Sequence, residues 1–489
     1  MLMTVFRFSP TVAIFILVLT IVSPAPSKAV AETSPPNIVV ILVDDMGYGD
    51  PQCFNAQSKI ATPNIDALAA AGMKFTDAHA SGPLCHMSRY GLMTGRYPFR
   101  TDVALWRKQP LIESDQMTIA SVCQEAGYRT AMVGKWHLGF DESAGYENPM
   151  PGGPVDCGFD SYFGIRASTD IPPYFYIRGD RAIAPPTVPI EAVSSKGWSP
   201  IQGAFSRAGE IAPDMALKDV LPKFTDEAIT VINNHAQSGQ PKPLMLYLAY
   251  PAPHTPWLPS VEFRGRSEAS MYGDFVMMVD HMIGRVVKAL DTAGMTDDTL
   301  LIFSSDNGPV WYEEDVKRLG HDSSGGLRGM KADAWECGHR MPFIARWPAS
   351  VKAGSESNQT ICFTDFLATF AEIVNRKLPA DAGPDSFSFL SVLKGNQVAG
   401  KPVHPNLVVR SGGELMTIRE GKWKLINGLG SSGFSKPKKV KPKKGEPVGQ
   451  LYDLHADIGE TNNLYSSEPE VVARLSKKLK QIIDAGRSR

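Results

Sequence analysis

The segment Ile38-Val39-Val40-Ile41-Leu42-Val43-Asp44-Asp45 is an unbroken apolar run that ends in a pair of carboxylates. A short run rich in β-branched residues reads as a strand buried on both faces, as in a parallel sheet. Three more segments repeat the pattern. Thr130 to Val133 runs into Gly134-Lys135-Trp136-His137, Leu244 to Tyr250 leads to His254, and Leu300 to Phe303 reaches Asp306-Asn307-Gly308 after two serines. Helical stretches lie between them. Thr62, Pro63 and Gly72 mark the ends of one helix, and Thr118 to Ala126, closed by Gly127, forms a second. The longest separates the third and fourth strands. Its apolar residues Tyr272, Phe275, Val276, Val279, Met282, Ile283, Val286, Val287 and Leu290 recur at intervals of three and four, and Gly294 stops it. Strands alternating with helices predict an α/β fold with a mostly parallel central sheet sandwiched by helices. In such folds ligands gather beyond the carboxyl ends of the strands. Here those ends carry acids twice and basic groups twice.

A second cluster belongs with these ends. In Ser81-Gly82-Pro83-Leu84-Cys85-His86-Met87-Ser88-Arg89-Tyr90-Gly91-Leu92-Met93-Thr94-Gly95-Arg96, Cys85 opens a short helix, Arg89 follows one turn later on the same face, and Gly95 stops it. A helix N-terminus and an arginine both favour negative charge, which suits a nucleophile that attacks an anion. Asp44, Asp45, Asp306 and Asn307 offer three carboxylates and one amide carbonyl. Hard oxygen donors of this kind fit calcium or magnesium better than zinc or copper. Such an ion neutralises one oxygen of a bound sulfate or phosphate ester, while cations around the other oxygens stabilise the transition state. Taken singly, each cluster has a plainer reading. The Asp44 and Asp306 groups make good turns, Lys135 and His137 a solvated loop, His254 a brace among prolines, and Cys85 a structural thiol. Their coincidence at successive strand ends favours a shared site.

The 489 residues carry a net charge of −1, so no global attraction to nucleic acid or membrane is implied. Arg7, the apolar run Val12 to Val22 and the small-residue pattern Ala29-Val30-Ala31 read as a secretory signal peptide over residues 1–31, with an uncleaved anchor as the alternative. No later segment is long and apolar enough to span a bilayer. The six cysteines form no close pair of the kind that marks a zinc knuckle or a redox site, and their pairing is left open. From about residue 397 the pattern changes to short strands. Leu407 to Val409, Leu415 to Ile418, Trp423 to Ile426 and Gln450 to Asp453 predict a small antiparallel sheet. A terminal helix follows, with Val471, Val472, Leu475, Leu479, Ile482 and Ile483 on one face. Residues 32–396 therefore read as a catalytic domain and 397–489 as a small C-terminal α+β domain. Between the last two of these strands lies Lys436-Pro437-Lys438-Lys439-Val440-Lys441-Pro442-Lys443-Lys444, a solvated loop or a docking patch for a sulfated polysaccharide.

The segment around Cys85 resembles the sulfatase signature Cys-x-Pro-Ser-Arg followed by x-x-x-Leu-Thr-Gly-Arg. The resemblance extends from about Asn37 to Leu464. Asn37 through Asp50 looks like the family's first strand and metal-binding pair, and Gly134-Lys135-Trp136-His137-Leu138-Gly139 is similar to another family motif. Gly158-Phe159-Asp160 with Ser168-Thr169-Asp170 resembles a segment whose serine lies by the substrate. Pro253-His254-Thr255-Pro256, Ser305-Asp306-Asn307-Gly308 and Leu327-Arg328-Gly329-Met330-Lys331 resemble the histidine loop, the second metal pair and the lysine segment. Leu451-Tyr452-Asp453-Leu454 looks like the C-terminal signature. The resemblance implies an alkaline-phosphatase-like fold and one calcium ion held by Asp44, Asp45, Asp306 and Asn307. It implies that Cys85 is oxidised to formylglycine by a maturation enzyme, and that the hydrated aldehyde attacks sulfur. Arg89 then stabilises the hydrate, and Lys135, Lys331 and Ser168 hold sulfate oxygens. His254 protonates the departing oxygen, and His137 helps remove a proton from the hydrate's second hydroxyl so that sulfate leaves.

Five residues depart from the family pattern. Met87 stands where the family mostly has proline, Met93 where it has leucine, and Met330, Ala332 and Cys337 replace glycines of the lysine segment. The expectation is an exported, periplasmic or secreted sulfatase acting on a sulfated small molecule or polysaccharide. Two alternatives stand beside it: a phosphoester or phosphonate hydrolase of the same superfamily, and a non-catalytic binder of sulfated glycans with Cys85 left as a thiol. Trp106, Arg107, Lys108, Trp311 and Tyr312 fall in loops placed to line the pocket.

Overall fold

All four apolar runs are strands, and they lie side by side. In the computed structural model, Thr299–Ser305, Asn37–Asp44, Leu244–Pro253 and Arg129–Lys135 are consecutive neighbours, each parallel to the next. Ser161–Ile165 adds a fifth parallel strand beyond Arg129–Lys135. The structure describes residues 1–11, 35–103, 108–239 and 242–489. The signal-peptide run Val12–Val22 with its cleavage pattern at Ala29–Ala31, and the loop residues Trp106 and Arg107, lie outside the described residues.

The sheet continues past this parallel centre as a mixed one of eleven strands. Arg340–Arg346 runs antiparallel to both Thr299–Ser305 and Met73–His79, and short strands finish each edge. Every residue of Asn37–Asp44 after Asn37 is buried, as are all of Leu244–Pro253 and Thr299–Ser305. Such strands are covered on both faces, which is why they read as continuous apolar runs.

The helices follow the sequence reading with local differences. Ile119–Glu125 is capped by Thr118, whose hydroxyl accepts from the Ser121 amide. Pro63–Ala71 starts after Thr62 as expected, but Thr62 does not cap it. Its hydroxyl instead accepts from the Gln52 amide and donates to Asp66, tying down the preceding loop. The long helix runs Ser270–Thr292 and buries eight of the nine expected apolar residues, with Val287 half-buried.

The second sheet contains the four expected strands in chain order, Leu407–Arg410, Met416–Glu420, Trp423–Ile426 and Gln450–Asp453, all antiparallel. The terminal helix Pro469–Asp484 covers it with Val472, Leu475, Leu479 and Ile482. Ile483 does not join that face; it is exposed, because one residue beyond Ile482 on a helix turns away from the stripe. Tyr97 and Cys362, from the larger part of the chain, share this small core.

Candidate active site

The carboxyl ends of the parallel strands meet the start of the Cys85 helix. Asp44 is the last residue of its strand, and Lys135 the last of its own. His254 follows directly after Leu244–Pro253, and Asp306 and Asn307 follow Thr299–Ser305. Cys85 is the first residue of the helix Cys85–Thr94, and Gly95 ends that helix in the left-handed conformation. Three of the seven positive-φ non-glycine residues among the described residues stand here: Asp45 at 64°, His137 at 59° and Ala332 at 72°. Strain of this kind persists only where the surroundings over-determine it, and it gathers at functional sites.

The charged groups interlock. Lys135 Nζ donates to Asp44 Oδ2 at 2.5 Å, and Lys331 Nζ donates to Asp45 Oδ1 at 2.5 Å and to Cys85 Sγ at 3.3 Å. Cys85 Sγ lies 3.3 Å from Asp44 Oδ1. Arg89 places Nε and Nη2 on Asp306 Oδ2 at 2.9 and 2.8 Å, and its Nη1 donates to the Lys135 carbonyl at 2.9 Å. Asn307 Nδ2 donates to Asp45 Oδ1 at 2.6 Å. His254 Nε2 is 3.6 Å from Asp45 Oδ2. Every one of these groups except the half-buried His254 is buried.

Burial and mutual charge set the protonation states. Burial opposes the charge on Asp44, but Lys135, His254, Arg89 and Lys331 together hold its carboxyl well below the usual range. Burial, with Asp44 close by, raises Asp306 to about 6 despite Arg89. Burial likewise raises the Cys85 thiol, and Asp44 adds to it. His137 is pushed well below its ordinary value by burial and then by Lys135, so its imidazole is neutral.

A cavity of about 560 Å³, counted to its open mouth, lies over this cluster. Asp45, Cys85, His137, Ser168, His254 and Lys331 line it. Arg89, Lys135, Asp306 and Asn307 are not on its wall; Asn307 and Asp306 bond the lining residue Asp45, while Arg89 holds Asp306 and the Lys135 carbonyl. Several buried polar atoms here have no hydrogen-bond partner among the described residues: both ring nitrogens of His137, Ser168 Oγ, Asp170 Oδ1 and Asn307 Oδ1. Buried polar atoms are almost always satisfied, so such a group of exceptions calls for a ligand or ion. The orphaned Asn307 oxygen, on an amide that also bonds the Asp45 carboxylate, suits a hard divalent cation. Ligand atoms of Asp44, Asp45, Cys85 and His254 lie within 4.8 Å of one another, the spacing a metal needs.

Other elements serve the site that sequence reasoning did not single out. Asp170 and Arg207 pair on the cavity wall, with Asp170 Oδ1 3.8 Å from His254 Nδ1. Asp170 was visible next to Ser168, whereas Arg207 comes from a loop with no local signal. The Lys331 segment is clasped from two sides: the Ala332 amide donates to Pro83 O at 2.8 Å, and its carbonyl accepts from Gly412 N at 2.7 Å. Met330 is buried, and Asp333 accepts from its amide at 2.9 Å, so a methionine in place of the family's glycine is held inside the loop. The expectation for Trp311 fails. It is buried among Trp257, Trp198 and Tyr272, with its indole donating to His321 O, and Val310 takes the place on the wall. All six cysteines are free thiols.

Comparison with known proteins agrees with this geometry. The sequence model of the sulfatase family matches residues 36–375. An N-acetylgalactosamine-6-O-sulfatase from Bacteroides thetaiotaomicron is 33% identical, over 91% of this chain and 93% of that protein. Bovine arylsulfatase A is 30% identical, over 93% of this chain and 88% of its own. A solved structure from work on metabolism of multiple glycosaminoglycans by B. thetaiotaomicron superimposes with a TM-score of 0.81 at 32% identity, covering 92% of this chain and all of that one.

Proposed function

The chain belongs to the sulfatase family of sulfate ester hydrolases, and on that premise we propose that it is an exported, calcium-dependent enzyme whose nucleophile is a formylglycine made from Cys85. The observation that carries this reading is the set of unpartnered buried atoms on His137 and Ser168, which line the cavity with Cys85, and on Asn307 behind it. Asp44, Asp45, Asp306 and Asn307 would hold the calcium, which supplies charge neutralisation for a sulfate oxygen. The hydrated aldehyde would supply an oxygen nucleophile together with a second hydroxyl on the same carbon. An unmodified Cys85 is a poor substitute, because burial and Asp44 keep it a thiol.

The chain's own residues do the rest. Lys331 stands on the cavity wall beside Cys85 and offers its ammonium to sulfate oxygens, with Ser168 Oγ as a further donor. Lys135, held on Asp44 behind the wall, adds positive charge to the same field and would help hold a sulfate oxygen. Arg89 fixes Asp306 and the end of the strand that carries Lys135, tying the nucleophile's helix to the metal loop. His254 delivers a proton to the departing oxygen. His137, neutral and with both ring nitrogens unpartnered, would accept a proton from the hydrate's second hydroxyl.

The substrate class is carbohydrate sulfate, with 6-O-sulfated N-acetylgalactosamine the first sugar to test, on the likeness to the bacterial relative. Export rests on the N-terminal sequence alone; among the described residues no helix is long and apolar enough to cross a membrane. A maturation enzyme must act on the chain before it folds, since Cys85 and its neighbours are buried afterwards.

Mass spectrometry of the tryptic peptide Phe75–Arg89 from the native host tests the nucleophile. Formylglycine at position 85 is expected. Cysteine throughout would overturn the catalytic reading and leave a binder of sulfated glycans. Parallel assays with aryl sulfate and aryl phosphate separate the sulfatase from a phosphoester hydrolase.

A further inference from the structure

Strands Trp423–Ile426 and Gln450–Asp453 pair antiparallel with Ile426 directly opposite Gln450. A two-residue turn is enough to close such a hairpin. The chain instead inserts residues 427–449, and long connections inside compact domains are usually functional. Its first half is built onto the active site. Asp333, two residues after Lys331, accepts from the amides of Phe434 and Ser435 at 2.8 and 3.1 Å. Ala334 N donates to Ser431 O at 2.9 Å, and a Cβ on Gly433 would lie 2.3 Å from the Ala332 backbone. Phe434 lines the same cavity as Cys85 and Lys331.

The second half carries the charge. The carbonyls of Pro437 and Lys438 accept from the amides of Ser431 and Ser432 at 3.0 and 2.9 Å, which fastens the start of the basic run to the anchored half. Lys436, Lys438, Lys439, Lys441, Lys443 and Lys444 then follow in two Lys-Pro-Lys-Lys repeats around Val440. All six are exposed, and none makes an ion pair with another described residue. Glu446, the nearest acid in sequence, accepts from the Lys443 amide and not from a lysine ammonium. On a chain of net charge −1, an unneutralised run of six lysines leaving the wall of a sulfate-ester cavity is a local and directed field.

We infer that residues 436–444 form a docking strip for the polyanionic remainder of a sulfated polysaccharide whose reacting sulfate sits over Cys85. The inference rests on the sulfatase reading and extends it. The strip selects polymer over isolated sugar, and it acts on capture, leaving the chemical step to the cavity. Because its cations are exposed, the effect is long-range and screened by salt.

The test compares wild type with a variant carrying Lys439→Gln, Lys441→Gln, Lys443→Gln and Lys444→Gln, which leaves the anchored residues through Lys438 intact. Both are assayed on chondroitin sulfate and on 4-nitrophenyl sulfate at low and at moderate ionic strength. For polymer, the variant's KM is expected to rise about tenfold at low salt, the sum of several small exposed attractions, with kcat unchanged. The difference should shrink as salt is added, and the small ester should show no change. Equal effects on both substrates, or no effect on polymer, would overturn the inference. Binding of a Cys85→Ala protein to immobilised chondroitin sulfate, with and without the four substitutions, gives a readout without turnover. If wild type hydrolyses neither ester, the sulfatase reading fails, and this binding comparison still decides the strip: salt-sensitive retention lost with the lysines supports it, and unchanged retention overturns it.

Discussion

Two of the buried clusters of charge among the described residues differ in one respect. The first surrounds Cys85. The second lies where the large sheet meets the small one: Asp77, His79, Glu336, His339, Arg340, Arg419, Lys424 and Glu460. In the second, each charge faces a partner. Arg419 Nη1 donates to Asp77 Oδ1 at 2.6 Å, the two histidines face each other through Nδ1 at 3.0 Å, and Lys424 Nζ reaches Glu336 at 3.0 Å and Glu460 at 2.9 Å. The set His79, Glu336 and His339 has metal-like spacing, yet Arg419 and Lys424 already stand at its ring nitrogens. In the first cluster, His137, Ser168 and Asn307 keep buried atoms with no partner. Buried charge alone therefore does not identify a site. Orphaned polar atoms occur elsewhere too, on Glu460 Oε1 in the second cluster and on Arg346 Nε and Nη2, but the first cluster gathers several of them around one cavity.

The sharpest way to break this contrast is to remove one lysine from each cluster. Lys331→Met should lower kcat/KM for an aryl sulfate about a thousandfold, as expected when a cation facing transition-state charge is lost. Stability of the calcium-loaded protein should stay within about 1 kcal/mol, since the ion still faces Asp45. Lys424→Met should do the reverse. It leaves Glu336 and Glu460 buried without their shared cation, and breaking such a pair costs about 3–5 kcal/mol. Urea unfolding measures the loss, and the surviving folded fraction should keep its kcat. A Lys331→Met protein that loses stability but not rate would show that the two clusters do not differ in kind.

Calcium gives the next largest effect. If the orphaned Asn307 oxygen marks a metal site, adding calcium to about a hundred times its Kd stabilises the metal-free protein by roughly 2.7 kcal/mol. Differential scanning calorimetry reads this as a rise in melting temperature. Asn307→Ala should abolish the calcium-dependent part of the rise. A rise that survives in Asn307→Ala would place the ion elsewhere.

The same contrast explains what the sequence could and could not disclose. The four central parallel strands were readable because both faces are covered, so their composition is apolar throughout. Met73–His79 was not read as a strand, because Asp77 and His79 interrupt it to serve the seam with the small sheet. Ser161–Ile165 escaped because it is short and contains glycine. Asp44, Cys85, Lys135, His254 and Asp306 could be picked out as candidates because they stand at strand ends or at a helix start, where local pattern announces them, whereas Ser168 and Lys331 lie in loops and came only from the family resemblance. Asp170, Arg207 and Phe434 reach the cavity from loops, and only the tertiary structure brings them there. Trp311 misled because an aromatic in a loop near a metal pair packs equally well into a core as against a ligand. The paired cluster at the seam left no trace in the sequence, since its members are scattered from residue 77 to residue 460 with no common spacing.

The smallest effect tests whether the seam is as fully balanced as its contacts indicate. Burial, and then the neighbouring Glu336, raise Glu460 from 4.5 to about 7, although Lys424 opposes the shift. An acid whose folded value is raised binds more protons folded than unfolded. Its contribution to stability is therefore complete below pH 4.5 and is lost as the pH rises through about 7. Glu336 runs the opposite way: burial opposes its charge, but Lys424, His79, His339 and Arg419 hold it well below 4.5, and its contribution is lost only in acid. Glu460→Gln removes the first dependence and leaves the second. The variant should match wild type near pH 4.5 and exceed it at pH 8 by about 1–2 kcal/mol, less than a full shift of that size because the pair shares one lysine. Urea midpoints across that range measure it. A variant less stable than wild type at pH 8 would mean that the Glu460 carboxylate is a net stabilising partner of Lys424, and that the seam needs both of its acids charged.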